Sequence, residues 1–483
     1  MKKESLKEAL LQWELEIVGM KETKTKIATV KTKTVQTQRI KETPVKTRIV
    51  DAPHVHNYSI MKWSYYNSLH KNDNQSSFFF NCRTRKLLLL DIHLVTLLQG
   101  ELSDINHLAW RHPDFFAVLV ENGFIVEDSC DEFDLFCKSL LDSEKNSHSF
   151  EIIINPTLDC NLSCWYCYEK HLKGSRINAD ILISIQNLIE SKLADNKIDQ
   201  LSLSFFGGEP LLEFENVVWE IILYTVKHNK LKKNIHLSFT TNATLLTKSV
   251  VDKLVSTGYS ISLQIPFDGG RDIHNKIKYS GSIMSPFDSS LDNLVYAASK
   301  GIKVSVRCNY DDRTISSFEE LIDGLTESDI DKNIRFSFQK IWQVKKNDET
   351  EKEKNRLIKK VDDCSKNFSV SDDITIRPCY GDAYNSVVVN YNGDIFKCTA
   401  RDFSRDNREG ILSENGEIIF NERFLERMNR RFSNEHCHNC HIFPICNLCS
   451  QQRLEHHNDG CIRGINESQK NEYLLSIIRN LVQ

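Results

Sequence analysis

The chain has 483 residues, which is enough for two or three domains. Forty per cent of the residues are hydrophobic and 27% are charged, as is ordinary for a soluble globular protein. The 62 basic and 66 acidic residues give a net charge of −4, which predicts no general attraction to nucleic acid. No apolar run reaches the roughly 20 residues that a membrane helix needs, and the charged N-terminus lacks the apolar core of a signal peptide. We therefore expect a cytoplasmic protein with no membrane partner.

Residues 1–60 differ in composition from the rest of the chain. The stretch from Lys21 to Val50 is rich in Lys, Thr and Val and contains no Gly. This composition predicts a flexible, basic, solvated tail. The alternative is a fused peptide-like segment that interacts with the rest of the chain. Met61 is also a candidate start, because the residues after it resemble the beginning of a new domain.

Residues 61–150 predict a small α/β unit. Strands are expected at 78–81 and 86–91 around a turn, helices at 92–98 and 113–122, and a short strand at 124–127. Helices beside a β-ribbon resemble a winged helix. We expect this unit either to recognise a peptide or to cap the domain that follows.

Residues 151–345 alternate between strand-like and helix-like runs. Strands are predicted at 151–155, 200–205, 235–240, 260–265, 303–309 and 334–340, and helices at 179–193, 216–228, 248–256, 287–300 and 318–326. Strands with helical crossovers form parallel βα units, whose sites lie at the carboxyl ends of the strands. The expected fold class is therefore α/β. A helical linker at 346–374 and a C-terminal helix at 466–483 complete the prediction.

Three cysteines follow the first of these strands. Cys160, Cys164 and Cys167 are spaced C-x3-C-x2-C, so one loop can bring their thiols to one centre. Thiolates at this spacing suit a cubane iron–sulfur cluster. With three ligands from the loop, one iron of a [4Fe–4S] cluster would stay open for the amino and carboxylate groups of S-adenosylmethionine. The alternatives are three unrelated thiols or a zinc knuckle, although zinc usually takes four protein ligands in paired CxxC units.

Polar residues recur where the later strands end. Gly207, Gly208 and Glu209 follow the second strand, and glycines there would let the backbone approach a ligand. Thr240–Thr244 follow the third strand and Gln264–Gly269 the fourth. Any of these residues could serve in a turn or a cap, but their repeated position at strand ends favours a shared site.

Seven further cysteines lie between Cys379 and Cys461, which exceeds the needs of one zinc site. Residues 390–394 predict a hairpin turn that brings Cys379 and Cys398 near one another across a β-ribbon. A tail with two zinc ions is the alternative. We expect the five remaining cysteines to be mainly small buried hydrophobic residues, namely Cys82, Cys130, Cys137, Cys308 and Cys364.

Together these motifs resemble radical S-adenosylmethionine (radical SAM) enzymes with a C-terminal SPASM domain, of the type that modifies ribosomally made peptides and proteins. The resemblance covers roughly residues 61–465. It implies a partial (β/α)6 barrel at 151–345 and a SPASM domain with auxiliary clusters at 375–465. In such enzymes a unit like residues 61–150 often holds the leader of the substrate.

The resemblance implies that the strand-end residues bind S-adenosylmethionine. Tyr166 occupies the aromatic position near the adenine, and Glu209 belongs to the GGEP motif that binds the methionine ammonium. Ala243 stands where the family's T-N-G-T motif has Gly, and Pro266 replaces the usual Ser of the motif after the fourth strand. The implied cofactor contacts are Tyr166, Gly207, Gly208, Glu209, Pro210, Thr241, Asn242, Gln264, Asp268 and Asn309.

The resemblance also implies two auxiliary [4Fe–4S] clusters. Cys437, Cys440, Cys446 and Cys461 would hold one of them, and Cys379, Cys398 and Cys449 the other. The fourth position of the second cluster would be open or filled by Cys364. The family usually separates the last pair by three residues, whereas two residues separate Cys446 from Cys449.

The implied function is that of a radical SAM oxidoreductase that matures a ribosomal precursor peptide or protein. The cluster on Cys160, Cys164 and Cys167, reduced by an external donor of the flavodoxin or ferredoxin type, would cleave S-adenosylmethionine to a 5′-deoxyadenosyl radical. We expect hydrogen abstraction from the peptide and a side-chain cross-link (C–C, C–O or thioether). One alternative is formylglycine formation as in anaerobic sulfatase maturases, although those often carry an acid where this chain has Thr399. The other is a non-catalytic cluster-bearing binding module.

Overall fold

A computed structural model describes residues 60–73, 75–100, 105–328, 333–344, 347–364, 368–370, 378–456 and 460–482. The predicted tail at 1–60 lies outside the described residues, except for Ile60. None of the helices in these ranges combines the length and the apolar character that crossing a bilayer requires.

The N-terminal unit packs three helices against two small antiparallel sheets. One sheet has the order β2-β3-β4, and in the other β1 pairs with β5. The elements are β1 (Met61–Trp63), β2 (Asn67–Lys71), β3 (Ser76–Asn81), β4 (Lys86–Asp91), α1 (Ile92–Gly100), α2 (Ile105–Arg111), α3 (Pro113–Glu121) and β5 (Ile125–Glu127). The predicted ribbon, helices and short strand are present, whereas β1, β2 and α2 were not predicted because they are too short to show a period.

Helix α4 (Glu132–Lys145) ties this unit to the cysteine-rich segment. At its start, Ser64 donates a 2.6 Å hydrogen bond to Glu132. Near its end, Glu144 forms a 2.5 Å ion pair with Arg431, and both side chains are less than a tenth exposed. Between them, Phe133 packs its ring against Phe443. One helix therefore contacts both parts of the chain along its length.

The predicted alternation of strands and helices forms the middle of one eleven-stranded sheet, with the order β12-β11-β10-β9-β8-β7-β6-β13-β14-β15-β16. Strands β6 to β11 pair in parallel and in chain order. They are β6 (Ser149–Ile154), β7 (Gln200–Phe205), β8 (Asn234–Thr240), β9 (Ser260–Phe267), β10 (Lys303–Tyr310) and β11 (Ile334–Lys340). These are the six predicted strands, and their parallel pairing confirms the α/β class.

Helices connect the parallel strands and bury apolar residues against one face of the sheet. They are α5 (Ala179–Ala194), α6 (Trp219–His228), α7 (Lys248–Ser256), α8 (Arg271–Ile277), α9 (Pro286–Ser299) and α10 (Phe318–Glu327). Five were predicted, and α8 was not, because its seven residues include two isoleucines and five polar or charged residues. The predicted linker helix is α11 (Asp348–Cys364), and β12 (Phe368–Val370) follows it.

The C-terminal part continues the same sheet beyond β6. Strand β13 pairs in parallel with β6, with Val387 opposite Ile152. The predicted hairpin turn joins β13 to β14 and contains Gly393 at φ +82°. The elements are β13 (Ser386–Val389), β14 (Asp394–Phe396), β15 (Gly410–Leu412), β16 (Ile418–Phe420), α12 (Glu422–Arg430), α13 (Glu435–His438), α14 (Ser450–Glu455) and the predicted C-terminal helix α15 (Glu467–Val482).

The buried ion pair on α4 gives a first prediction. Glu144→Ala leaves the guanidinium of Arg431 buried without its carboxylate, so we expect the free energy of unfolding to fall by about 3 kcal/mol. Urea unfolding of the full chain measures this change. The matched control is Lys138→Ala on the same helix, which removes an exposed pair with Asp134 and should leave the midpoint nearly unchanged. Equal effects of the two substitutions would contradict the assigned role of Glu144.

Candidate active site

A cavity of about 560 Å³ opens at the carboxyl ends of the parallel strands. Its wall includes the three cysteines of the loop after β6, together with residues at the ends of β8 to β11. Residues of the cysteine-rich segment close the other side. The residues that line this cavity include Cys160, Cys164, Tyr166, Cys167, Glu169, Gly207, Gly208, Thr241, Asn242, Gln264, Lys278, Asn309, Trp342, Tyr380 and Thr399. The structure thus brings the first cysteine motif and the strand-end motifs to one place.

Gly207 and Gly208 support the cysteine loop directly. A Cβ atom on Gly208 would lie 2.1 Å from the carbonyl oxygen of Asp159, and one on Gly207 would lie 2.3 Å from that of Thr157. The amide of Gly208 donates to the Thr157 carbonyl at 3.1 Å, and the amide of Glu209 donates to the Asp159 carbonyl at 2.8 Å. The two glycines were predicted to let the backbone approach a ligand. They also leave room for the backbone segment that leads into Cys160.

Glu209 lies behind the cavity wall and is fully buried. Its carboxylate accepts hydrogen bonds from the Thr241 hydroxyl at 2.7 Å, the Asn242 amide at 2.8 Å and the Leu211 amide at 3.0 Å. Thr241 and Asn242 line the cavity, whereas Glu209 and Pro210 do not. Glu209 therefore fixes two cavity-lining residues in place.

Ala243 has the left-handed backbone conformation, with φ +64°. For a residue with a Cβ atom this conformation costs roughly 1–2 kcal/mol, which explains why Gly is usual at this position of the related motif. The backbone is held by Ser290 and Asn293, which donate to the carbonyls of Asn242 and Ala243. Ala243 therefore replaces the usual Gly, and the backbone turn of the motif is kept.

Tyr166 is held by a buried polar network. Its hydroxyl donates to Asp268 at 2.5 Å and accepts from the Asn309 amide at 3.1 Å. Asp268 is fully buried, does not line the cavity, and lies 3.4 Å from the ammonium of Lys278. Burial opposes the charge of Lys278, yet the facing carboxylate raises its pKa well above the ordinary value. Asp268 therefore contacts Tyr166 and Lys278, whereas Gln264 and Asn309 reach the cavity.

Lys278 and Glu169 are among the wall residues that were not predicted from the sequence. Lys278 caps α8, which was itself missed. Glu169 follows Cys167 by two residues, and its Oε2 atom is buried with no hydrogen-bond partner among the residues that the structure describes. Burial raises the pKa of Glu169 to about 8. Its position directly after the cysteine motif was the one available signal, but a charged residue in a loop is usually solvated.

The seven C-terminal cysteines form two groups. The interaction with Cys449 and then burial raise the pKa of the Cys379 thiol, and burial and then the charge of Cys449 raise that of Cys398. In the second group, the charges of Cys446 and Cys437 act on Cys440. Burial opposes the charge of Lys470, yet the hydrogen bond to Glu467 and then the charges of Cys440 and Cys461 raise its pKa above the ordinary value. The assignment of these cysteines to two auxiliary clusters stays a prediction, and the side chain of Cys364 lies outside the described residues.

Buried ionic contacts hold the first of these groups together. The Ser450 hydroxyl, next to Cys449, donates at 2.6 Å to Asp382, which follows Cys379 by three residues. Arg427 donates to the same hydroxyl at 2.8 Å. Of the cysteines outside both motifs, Cys82, Cys137 and Cys308 are buried as predicted, and Cys130 is half-buried.

The donor set at the cavity fits an iron–sulfur cluster. Within the described ranges, no three His, Cys, Asp or Glu side chains converge on a point that could hold a single metal ion. A cubane cluster binds each thiolate at a separate iron, so its ligands need not share one point. Burial raises the pKa of the Cys160 thiol to about 12 and that of Cys167 to about 11. Binding of a cluster would therefore release protons from this loop.

Comparison with known proteins identifies the domain that carries this cavity. Residues 154–325 match the model of the Radical SAM superfamily. The cysteine-type anaerobic sulfatase-maturating enzyme of Clostridium novyi is 26% identical over 150 residues, which cover 30% of this chain and 40% of that enzyme. The radical SAM cyclopropyl synthase TigE of Paramaledivibacter caminithermalis is 25% identical over 225 residues, which cover 42% and 44%.

Among solved structures, native anSMEcpe with bound AdoMet and Cp18Cys peptide has a TM-score of 0.53 and 18% identity, and the match covers 69% of this chain and 98% of that one. The cavity thus lies in a radical SAM domain with the corresponding partial-barrel fold. Residues 154–325 thus form a radical SAM domain, a type of domain that uses a [4Fe–4S] cluster and S-adenosylmethionine as cofactors. Each alignment spans less than half of the two curated relatives named above.

The close packing of Gly208 gives a second prediction. Gly208→Ala forces a Cβ atom against the Asp159 carbonyl, so we expect the cysteine loop to shift, at a cost of about 2 kcal/mol. Iron bound per chain after anaerobic reconstitution should fall clearly below the wild-type value. The control is Gly281→Ala, because a Cβ there meets nothing within 4 Å. Full iron binding by Gly208→Ala would show that the loop does not depend on this contact.

The buried carboxyl of Glu169 gives a third prediction. Its pKa is about 8 in the folded chain and about 4.3 when exposed, so the folded state loses stability as pH rises between these values. Glu169→Gln removes this loss. We expect the variant to be more stable than wild type by about 1–3 kcal/mol at pH 8, and the difference to shrink towards pH 5. The control, Glu472→Gln at an exposed position of α15, should unfold in urea at the same midpoint as wild type at both pH values. An identical pH profile for wild type and Glu169→Gln would contradict the prediction.

Proposed function

We propose that this chain is a radical SAM maturase that abstracts hydrogen from a ribosomally made peptide or protein and joins two of its side chains. The observation that carries the proposal is the composition of the single cavity wall. It combines the three cysteines of the radical SAM loop with Tyr380 and Thr399 of the cysteine-rich segment. A substrate in this cavity would contact both parts of the chain.

Cys160, Cys164 and Cys167 would hold the first cluster and are the residues proposed as catalytic. When bound, the cluster and S-adenosylmethionine supply a 5′-deoxyadenosyl radical. Thr241, Asn242, Gln264 and Asn309 offer polar groups along the same wall. We infer that they orient the nucleoside and the methionine end, while Glu209 holds Thr241 and Asn242 from behind.

The two C-terminal cysteine groups would hold auxiliary [4Fe–4S] clusters. Cys437, Cys440, Cys446 and Cys461 provide four thiols for one cluster, and Cys379, Cys398 and Cys449 provide three for the other. The fourth position of the latter would be open or taken by Cys364. Cys379 lies beside Tyr380, which lines the cavity, so this second group would be the nearer acceptor for an electron from the substrate.

A peptide substrate is supported by the shape of the cavity mouth and by the relatives. Trp342 is 69% exposed at the rim and packs its ring edge-on to Tyr168, with centroids 6.4 Å apart. Exposed aromatic rings of this kind supply contact area for an extended chain. The solved structure of anSMEcpe contains a peptide together with AdoMet. We infer that residues 61–150, held on the cysteine-rich segment by α4, recognise another part of the substrate.

Formylglycine formation is the second candidate, because one relative is a cysteine-type sulfatase-maturating enzyme. The local chemistry around Cys398 counts against this candidate. Thr399 follows Cys398, and its hydroxyl lies 2.6 Å from that of Tyr380. A threonine engaged in this way does not offer the carboxylate that the sulfatase maturases often place there.

The activity prediction is tested with the full chain, reconstituted anaerobically with iron and sulfide and supplied with reductant, S-adenosylmethionine and peptides encoded next to its gene. We expect 5′-deoxyadenosine and a peptide that has lost two hydrogens per cross-link, both followed by mass spectrometry. Cys164→Ala should abolish both products, because the cluster loses a ligand. Cys130→Ala removes a cysteine outside both motifs and should retain them.

The products separate the candidate functions. An aldehyde in place of a cysteine or serine side chain would replace the cross-linking proposal by formylglycine formation. Wild-type protein that carries its full iron yet forms no 5′-deoxyadenosine would instead support a cluster-bearing binding module.

A further inference from the structure

Lys278 places a buried positive charge at the wall that carries the three cysteines. Only 3% of its side chain is exposed, and it lines the cavity. Its ammonium lies 3.4 Å from Asp268, which is fully buried. Because Asp268 is itself fixed by the 2.5 Å hydrogen bond from Tyr166, the cation has little freedom to move.

The backbone also ties Lys278 to the cysteine loop. The amide of Ser163, next to Cys164, donates to the carbonyl of Tyr279, next to Lys278, at 2.9 Å. The two residues form an isolated antiparallel bridge. Tyr166 lies between Cys164 and Cys167, so the side-chain network reaches the same loop from the other direction. Two independent connections therefore fix the distance between this charge and the thiols.

Lys278 and the three cysteines line the same cavity. In a site of low dielectric constant a fixed charge interacts more strongly than in water. A cation favours the more negative of two charge states, and one-electron reduction makes a cluster on these thiolates more negative.

We propose that Lys278 is a positioning residue whose charge stabilises the reduced state of the cluster that Cys160, Cys164 and Cys167 would hold. The inference rests on the proposed function, because it requires that cluster. The external one-electron donor supplies the electron, and Lys278 neither gains nor loses an electron or a proton. Its ion pair with Asp268 and the Ser163–Tyr279 bridge keep it in place while the cluster changes charge.

The test compares wild type, Lys278→Met and Lys278→Arg as reconstituted full chains. Redox titration followed by electron paramagnetic resonance gives the potential of the first cluster, which is recognised by its response to S-adenosylmethionine. We expect Lys278→Met to lower the equilibrium constant for one-electron reduction about tenfold, which is about 59 mV. Lys278→Arg keeps the charge and should stay within about threefold of wild type. S-adenosylmethionine affinity, measured separately by equilibrium binding, should change little in both variants.

A second variant, for which the opposite shift in cluster potential is expected, distinguishes an electrostatic effect from a merely structural one. Asp268→Asn removes a negative charge from the same network, so we expect it to make reduction easier where Lys278→Met makes it harder. If Lys278→Met does not retain iron, Asp268→Asn alone still tests the inference, because an unchanged potential or harder reduction in that variant would contradict it. Unchanged potentials, or shifts of the same sign in both variants, would overturn the inference.

Two further outcomes can be distinguished from a shift in the cluster potential. Loss of S-adenosylmethionine affinity at an unchanged potential would assign Lys278 to the carboxylate of that cofactor and overturn its proposed electrostatic role. Failure of the proposed function gives a different result, since wild type itself would then lack the cofactor-responsive signal and form no 5′-deoxyadenosine.

Discussion

The contact between the glycine turn and the cysteine loop is the constraint on which the site depends. Gly207 and Gly208 lie so close to the carbonyls of Thr157 and Asp159 that no side chain fits between them. The next residue, Glu209, binds Thr241 and Asn242, which belong to the loop after β8. One short turn after β7 therefore sets the relative positions of the loops after β6 and β8. The relative positions of the thiols and the polar groups of the cavity therefore depend on contacts between backbone atoms, which a change of side-chain rotamer cannot alter.

The parts of the fold that could be predicted are those with a clear local signal. The parallel strands alternate small polar and large apolar residues, as in Leu201, Leu203 and Phe205, so their existence follows from a period of two. The first cysteine motif and the strand-end motifs follow from spacing and from the rule that parallel strands place sites at their carboxyl ends. The hairpin before Cys398 follows from its Asn–Gly turn.

The parts that could not be predicted depend on tertiary contacts. Lys278 is an ordinary charged residue in the sequence, and only the fold places it against Asp268 and beside the thiols. Glu169 has the composition of a solvated loop residue, and its burial arises from the walls that later segments build around it. Asp268 was expected at the cofactor, but its side chain points to Tyr166 and Lys278, and a strand end alone does not tell on which side of the wall a carboxylate lies.

The pairing of β13 with β6 has a consequence for how the chain folds. Asn155 at the end of β6 donates a 3.2 Å hydrogen bond to Asn390, which lies 235 residues further along the chain. Until the ribosome has released that distant segment, one edge of β6 has no neighbour, and an open edge can pair with another chain. Contacts so far apart in sequence also form slowly. The radical SAM segment therefore keeps an open sheet edge until the last fifth of the chain has been made, and during that time the edge exposes the nascent protein to pairing with other chains.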